Sequence, residues 1–264
     1  MIDHLKKAIL RFSIFRLYMP FRRLAHIFRD QNRKIRIALG LREPLPSECN
    51  ELLLPSKSWN KLCNPSDTLF KAIKKIDGNV NLAELAVLNA LCRTFRPKRI
   101  MEIGTFDGRT TLNLSLNSDA ELFTLDLPST SKTAMEIDGG DKKYFLKPSS
   151  AIGARFCLPP HNRLPSVKRI MQLYGDSASF DFSQWYGKVD FVFVDGAHTY
   201  DYTKNDSDIA LKLLNPKGGI IVWHDYGEWE GATRALHELK IKMPFPPLTH
   251  VKDTSLVVFN RKET

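Results

Sequence analysis

Five acidic residues in the chain sit at the end of short apolar runs. They are Glu102 in R-I-M-E-I, Asp126 in E-L-F-T-L-D-L, Asp176 after V-K-R-I-M-Q-L-Y-G, Asp195 after V-D-F-V-F-V, and Asp225 after I-I-V-W-H. Carboxylates so placed can accept hydrogen bonds from ribose hydroxyls or share a divalent cation. Any one of them could equally cap a helix. Capping is a strained explanation for five strand ends in succession. His198 lies three residues after Asp195, and His224 adjoins Asp225. An imidazole titrates near neutrality and can take a proton from a hydroxyl at working pH. A structural histidine following a strand is the plainer alternative.

Between the first run and its helix lies Gly104-Thr105-Phe106-Asp107-Gly108. Glycine is needed where the backbone turns with positive φ or where a ligand approaches closely. The reading is strand, glycine turn, helix, the unit that builds a nucleotide site at the carboxyl edge of a parallel sheet. The spacing is G-x-x-x-G, not the G-x-G-x-x-G of dinucleotide sites, which argues against a nicotinamide-dependent oxidoreductase. No G-x-x-x-x-G-K-[ST] occurs, so a phosphate-cradling P-loop is excluded.

These residues need a scaffold, and the hydrophobic pattern supplies one. Strands are expected at 99–103, 121–127, 167–173, 189–194 and 220–223, with a closing hairpin at 249–252 and 255–260. Helices are expected at 67–76, 82–95, about 109–117, 201–214 and 229–239. Alternation of strand and helix predicts an α/β fold with a doubly wound, mostly parallel, seven-stranded sheet and an antiparallel last strand. Residues 128–166 are polar and rich in Pro and Gly, too long for an ordinary connection, and read as an insertion covering a site.

The chain has 264 residues and a net charge of +10. Eleven Lys/Arg against two Asp fall within residues 1–42, so the remainder is nearly neutral. Apolar residues interleave with this basic arm at near-helical spacing. Such a helix can dock on its own domain, lie on an anionic membrane or bind a partner. No nucleic-acid module accompanies it. Residues 43–66, with Pro44, Pro46, Pro55 and Pro65, read as a linker, which divides the chain into an arm and linker at 1–66 and a domain at 67–264. Cys49, Cys63, Cys92 and Cys157 are scattered and form neither a zinc nor a disulfide pattern. With no signal-peptide core and no long apolar run, the expectation is a cytoplasmic protein, peripheral at a membrane if the arm engages one. The homo-oligomeric state stays open.

The segments M-E-I-G-T-F-D-G, L-F-T-L-D-L, Y-G-D-S, F-V-F-V-D-G-A-H-T-Y-D and L-N-P-K-G-G-I-I-V-W-H-D-Y, in that order, resemble the class I S-adenosylmethionine-dependent methyltransferases. Within them, the run from about 80 to 260 is similar to the metal-dependent small-molecule and macrolide-sugar O-methyltransferases. The resemblance implies that Glu102, Gly104, Thr105 and Gly108 lie at the cofactor, with Glu102 and Gly104 against its amino acid part. Asp126 would hold the ribose diol, and Asp176 with Ser177 would reach the adenine. It implies a metal set of Asp195, His224 and Asp225, with Mg²⁺ or Mn²⁺ as the ion. The relatives often carry Asp-Asn or Glu-Asp where this chain has His224-Asp225, so the third ligand departs from the pattern. His198 would be the base, at an offset where those relatives commonly carry Lys. The implied acceptor is a hydroxyl of a small molecule or sugar-containing metabolite. The alternative is a cofactor-binding domain of the same fold that acts without this catalysis in a larger assembly.

Overall fold

The computed structural model describes residues 52–64, 67–128, 131–137, 139–145, 151–243 and 246–261. The basic arm, its expected membrane or partner contact, and Cys49 lie outside the described residues.

Among the described residues eight strands form one sheet, and the helices pack on its two faces. In chain order these are β1 (Ser56–Lys57), α1 (Leu82–Phe95), β2 (Arg99–Ile103), α2 (Arg109–Leu116), β3 (Glu121–Asp126), α3 (Gly139–Phe145), α4 (Ala154–Cys157), β4 (Ile170–Tyr174), β5 (Phe191–Val194), α5 (Tyr200–Leu213), β6 (Gly219–Trp223), α6 (Glu230–Lys242), β7 (Thr249–Val251) and β8 (Val257–Arg261). The sheet order is β1-β7-β8-β6-β5-β2-β3-β4. From β6 to β4 every pairing is parallel, while β8 runs antiparallel to both β6 and β7.

Side chains of a strand point alternately to opposite faces, and the core divides accordingly. Met101, Ile103, Val192, Val194, Ile221 and Trp223 pack with Ile209, Leu213 and Leu236 of α5 and α6. Ile100, Phe191, Phe193, Ile220 and Val222 pack with Leu85, Leu88, Leu91 and Leu114 of α1 and α2. Burial on both faces explains the near-continuous apolar runs that made these strands legible.

Two expectations are corrected. Among the described residues the sheet has eight strands and not seven, because Ser56–Lys57, from the stretch read as linker, pairs in parallel with β7. Residues 67–76 form no helix. Their backbone is engaged by side chains instead. Asn113 donates Nδ2 to Lys71 O and accepts from Lys71 N at 2.9 and 3.0 Å, and Asn117 grips both polar atoms of the Leu69 backbone at 2.8 Å. The buried Arg109 guanidinium donates to the carbonyls of Ala72, Ile73 and Val80. Those tertiary bonds outweigh a helix propensity worth only tenths of a kcal/mol per residue. Among the described residues no helix is long and apolar enough to cross a membrane.

Candidate active site

The parallel strands deliver their carboxyl ends to one edge, and β2 sits at the switch point between β3 and β5. Ligands of open α/β sheets bind outside such an edge. The turn after β2 is locked there. Gly104 N donates to Leu125 O at 2.9 Å, and Asp195 N donates to Ile103 O at 2.8 Å. Gly104 has φ +101°, and a Cβ on it would lie 1.9 Å from the Asp195 carbonyl oxygen. Gly108 has φ +82°, heads α2, and leaves room for the Phe156 ring. Both glycines are thus required, by conformation and by packing. Phe106, between them, also holds a positive φ of 51°.

Glu102 is completely buried. Its Oε2 accepts from Thr111 and, at 2.6 Å, from Thr124. Its Oε1 has no hydrogen-bond partner among the described residues. Burial pushes its carboxyl up to about 8, although the two threonine hydroxyls pull the other way. Thr105 is tied down by Thr124 Oγ1 at 2.6 Å and Gln172 Nε2 at 3.0 Å. Asp126 accepts from Phe106 N and Leu127 N, at 2.5 and 2.7 Å. Burial raises it to about 6 against those two donors. Asp176 accepts from Ala178 N, Ala134 N and Tyr202 Oη at 2.9, 2.6 and 2.8 Å. Ser177, beside it, interacts with the buried Asp206 of α5.

The second group lies at the ends of the neighbouring strands β5 and β6. Asp195, His224 and Asp225 each offer a ligand atom, all within 4.8 Å of one another. His224 Nδ1 is 2.9 Å from Asp195 Oδ1 and 3.0 Å from Asp225 Oδ2, yet makes no hydrogen bond of acceptable angle to either. His198 Nε2 is 2.8 Å from Asp225 Oδ2. Burial opposes charge on both imidazoles, but Asp225 with Asp195 and Glu84 raises His224 well above 6.5, and Asp225 with Asp141 does the same for His198. Asp225 feels two imidazoles, which overcome its burial and hold it well below the usual carboxylate range. Burial raises Asp195, with the His224 imidazole pulling the other way.

Four residues at this site escaped the sequence reading. Asp141, buried on α3, pairs with His198 Nδ1 and accepts from His198 N at 3.1 Å. Trp229 stacks on the His198 ring, with centroids 4.4 Å apart and planes 10° apart. Glu84 of α1 pairs with His224 Nε2 at 3.2 Å. The only signal in the sequence was N-x-x-E at Asn81–Glu84, which announces a helix cap, and the cap is present. The insertion thus brings Asp141 to the site, along with Tyr144, whose ring lies 6.4 Å from that of His198.

Residues 101–226 match the model of a family described as a methyltransferase domain. No curated protein matches the chain. An SAH-bound methyltransferase from Podospora anserina has a similar structure, with TM-score 0.51 and 18% identity over 88% of this chain and 95% of that one. The O-methyltransferase TomG from Streptomyces achromogenes, in complex with SAM, aligns at TM-score 0.46 and 18% identity, covering 81% of this chain and 93% of that one. An O-methyltransferase from Bacillus cereus in complex with SAH aligns at TM-score 0.45 and 19% identity, covering 69% and 83%. The first of these shares the fold.

Proposed function

We propose that this chain, whose residues 101–226 match the model of a methyltransferase domain, transfers a methyl group from S-adenosylmethionine to a hydroxyl oxygen of a small molecule, assisted by a divalent cation. The observation that carries this reading is the meeting of Asp195, His224 and Asp225, with His198 against them, on the same sheet edge as the glycine turn, Glu102 and Asp126.

The residues fit both groups. Glu102 Oε1 is a buried acceptor with no partner among the described residues, which suits the ammonium of an amino acid. Asp126 spends one lone pair of each oxygen on a backbone N–H, and a carboxylate has about four such sites, so it keeps capacity for the ribose diol. His224 Nδ1, facing two carboxylate oxygens without a hydrogen bond, suits a cation among the three. The cofactor supplies an activated methyl, and the cation supplies Lewis acidity toward the acceptor hydroxyl.

The chain's own part is alignment and proton handling. The Gly104 turn and the β5 end are fused by backbone contact, so the cofactor end and the cation end of the site share one rigid frame. Asp141 and Trp229 fix the His198 ring from one edge and one face. Its Nε2 is the group assigned to exchange a proton with the acceptor hydroxyl; paired with Asp225 it holds that proton itself, so it would serve as base only once a cation drew on Asp225 and the proton had left. Trp229 on its face and the Tyr144 ring 6.4 Å away leave the His198 side chain 15% exposed.

The test begins with the purified full-length protein. Mass spectrometry for co-bound S-adenosylmethionine or its demethylated product is followed by radiolabelled methyl transfer to a panel of catechols, polyketides and sugar hydroxyls. Activity is expected to fall by roughly 100-fold or more on exhaustive chelation and to return with a divalent ion. Asp195→Asn is expected to lose turnover while keeping cofactor affinity. Full activity after chelation would remove the cation from the scheme and leave His198 as a metal-independent base.

A further inference from the structure

The orientation of His224 is set from outside the cluster it belongs to. Its Nε2 meets Glu84 Oε2 at 3.2 Å, and Glu84 lies 140 residues earlier, at the start of α1. Glu84 is 2% exposed. Its carboxylate is itself fixed by Asn81 N, Ser255 N and Ser255 Oγ, each at 2.9 Å. A carboxylate crowded by donors on both oxygens accepts from the imidazole, so Nε2 carries the hydrogen. Nδ1 then faces Asp195 Oδ1 and Asp225 Oδ2 at 2.9 and 3.0 Å. Nδ1 and the two carboxylate oxygens converge on one point, where a divalent ion could stand in place of the Nδ1 proton.

We propose, building on the cation reading above, that Glu84 is the positioning residue of this centre. By holding Nε2–H it presents Nδ1 as a nitrogen ligand, and so selects a first-row divalent transition ion over Mg²⁺. Carboxylate partners of ligating histidines fix tautomer and ring orientation, and raise ligand basicity. Imidazole favours ions later in the transition series, whereas Mg²⁺ prefers oxygen ligands and retained water. The same carboxylate closes the Asn81–Glu84 cap of α1 and holds the β7–β8 turn at Ser255. The ligand is therefore braced by two elements distant in sequence.

The experiment titrates the metal-stripped full chain with Co²⁺, followed by calorimetry and by the visible d–d absorption of the bound ion. Mg²⁺ is added as competitor, and no acceptor or turnover is needed. Wild type is expected to bind Co²⁺ at least about 10-fold more tightly than Mg²⁺. Glu84→Gln, which can keep the helix cap, is expected to raise the Co²⁺ Kd by about 10–100-fold with the cofactor affinity unchanged. His224→Asn, which puts an amide oxygen in place of the nitrogen, is expected to narrow the Co²⁺-to-Mg²⁺ gap and so tests the selectivity independently of how Glu84→Gln folds. A folded Glu84→Gln protein with wild-type Co²⁺ affinity would overturn the role of Glu84. Equal Co²⁺ and Mg²⁺ affinities in wild type would overturn the selectivity. A wild-type protein that binds neither ion would overturn the cation reading itself, a distinct result.

Discussion

Replacing Glu102 with Gln separates what the cofactor needs from what the fold tolerates. Glu102 is fully buried, and its carboxyl is raised from an ordinary 4.5 to about 8, chiefly by loss of water. In the cofactor-free protein the folded state therefore keeps the proton over a pH range where the unfolded chain has released it. Stability then falls as pH rises from 4.5 through about 8 and is flat above and below that window. At 1.36 kcal/mol per pH unit the full effect integrates to roughly 5 kcal/mol. Relaxation around a buried carboxylate reduces this, and about 2–4 kcal/mol is the expected loss. Glutamine has the same shape, and its carbonyl can still accept from Thr111 and Thr124. The variant should match wild type at pH 5 and exceed it by about 2–4 kcal/mol at pH 8.5. Urea unfolding of the stripped proteins at the two pH values reads this directly. The same substitution should weaken S-adenosylmethionine binding by about 1–3 kcal/mol, since an ammonium loses an anionic partner. Parallel loss of stability in both proteins between pH 5 and 8.5 would refute the reasoning, because it would place the titrating group elsewhere.

Asp126→Ala should weaken S-adenosylmethionine by roughly 1–3 kcal/mol through lost charged hydrogen bonds; unchanged affinity by calorimetry would end the ribose assignment. Gly104→Ala should destabilise the domain by at least about 3 kcal/mol, since a positive φ and a 1.9 Å clash with the Asp195 carbonyl act together. An unshifted urea midpoint for that variant would contradict the packing argument.

The strands of the central sheet were legible because both faces are buried, which makes F-V-F-V and I-I-V-W apolar without interruption. The adjacency of the Asp195 and Asp225 strands followed from the fold class, and the pairing Val194↔Trp223 shows it. Residues 67–76 misled because their apolar spacing is helical while their hydrogen-bond partners, Asn113, Asn117 and Arg109, lie on a helix more than thirty residues later. β1 was hidden because two residues between prolines carry no period. Glu84 and Asp141 were illegible for a different reason. Each reaches its histidine across a long separation, 140 residues for Glu84–His224 and 57 for Asp141–His198, and local pattern has no access to such pairs.

The side-chain grip on residues 67–76 has a kinetic consequence. A ladder between strands opens cooperatively, but the amides of Leu69 and Lys71 each depend on one asparagine side chain. These amides belong to a unit that can open locally and exchange hydrogen with solvent while Met101 and Val192 in the sheet stay protected. Arg109, which holds three carbonyls at 72, 73 and 80, directly follows Gly108. An occupant that steadies the glycine turn is therefore expected to slow deuterium uptake at 67–76 through that guanidinium, and uptake unchanged by S-adenosylmethionine would show that the two segments open independently.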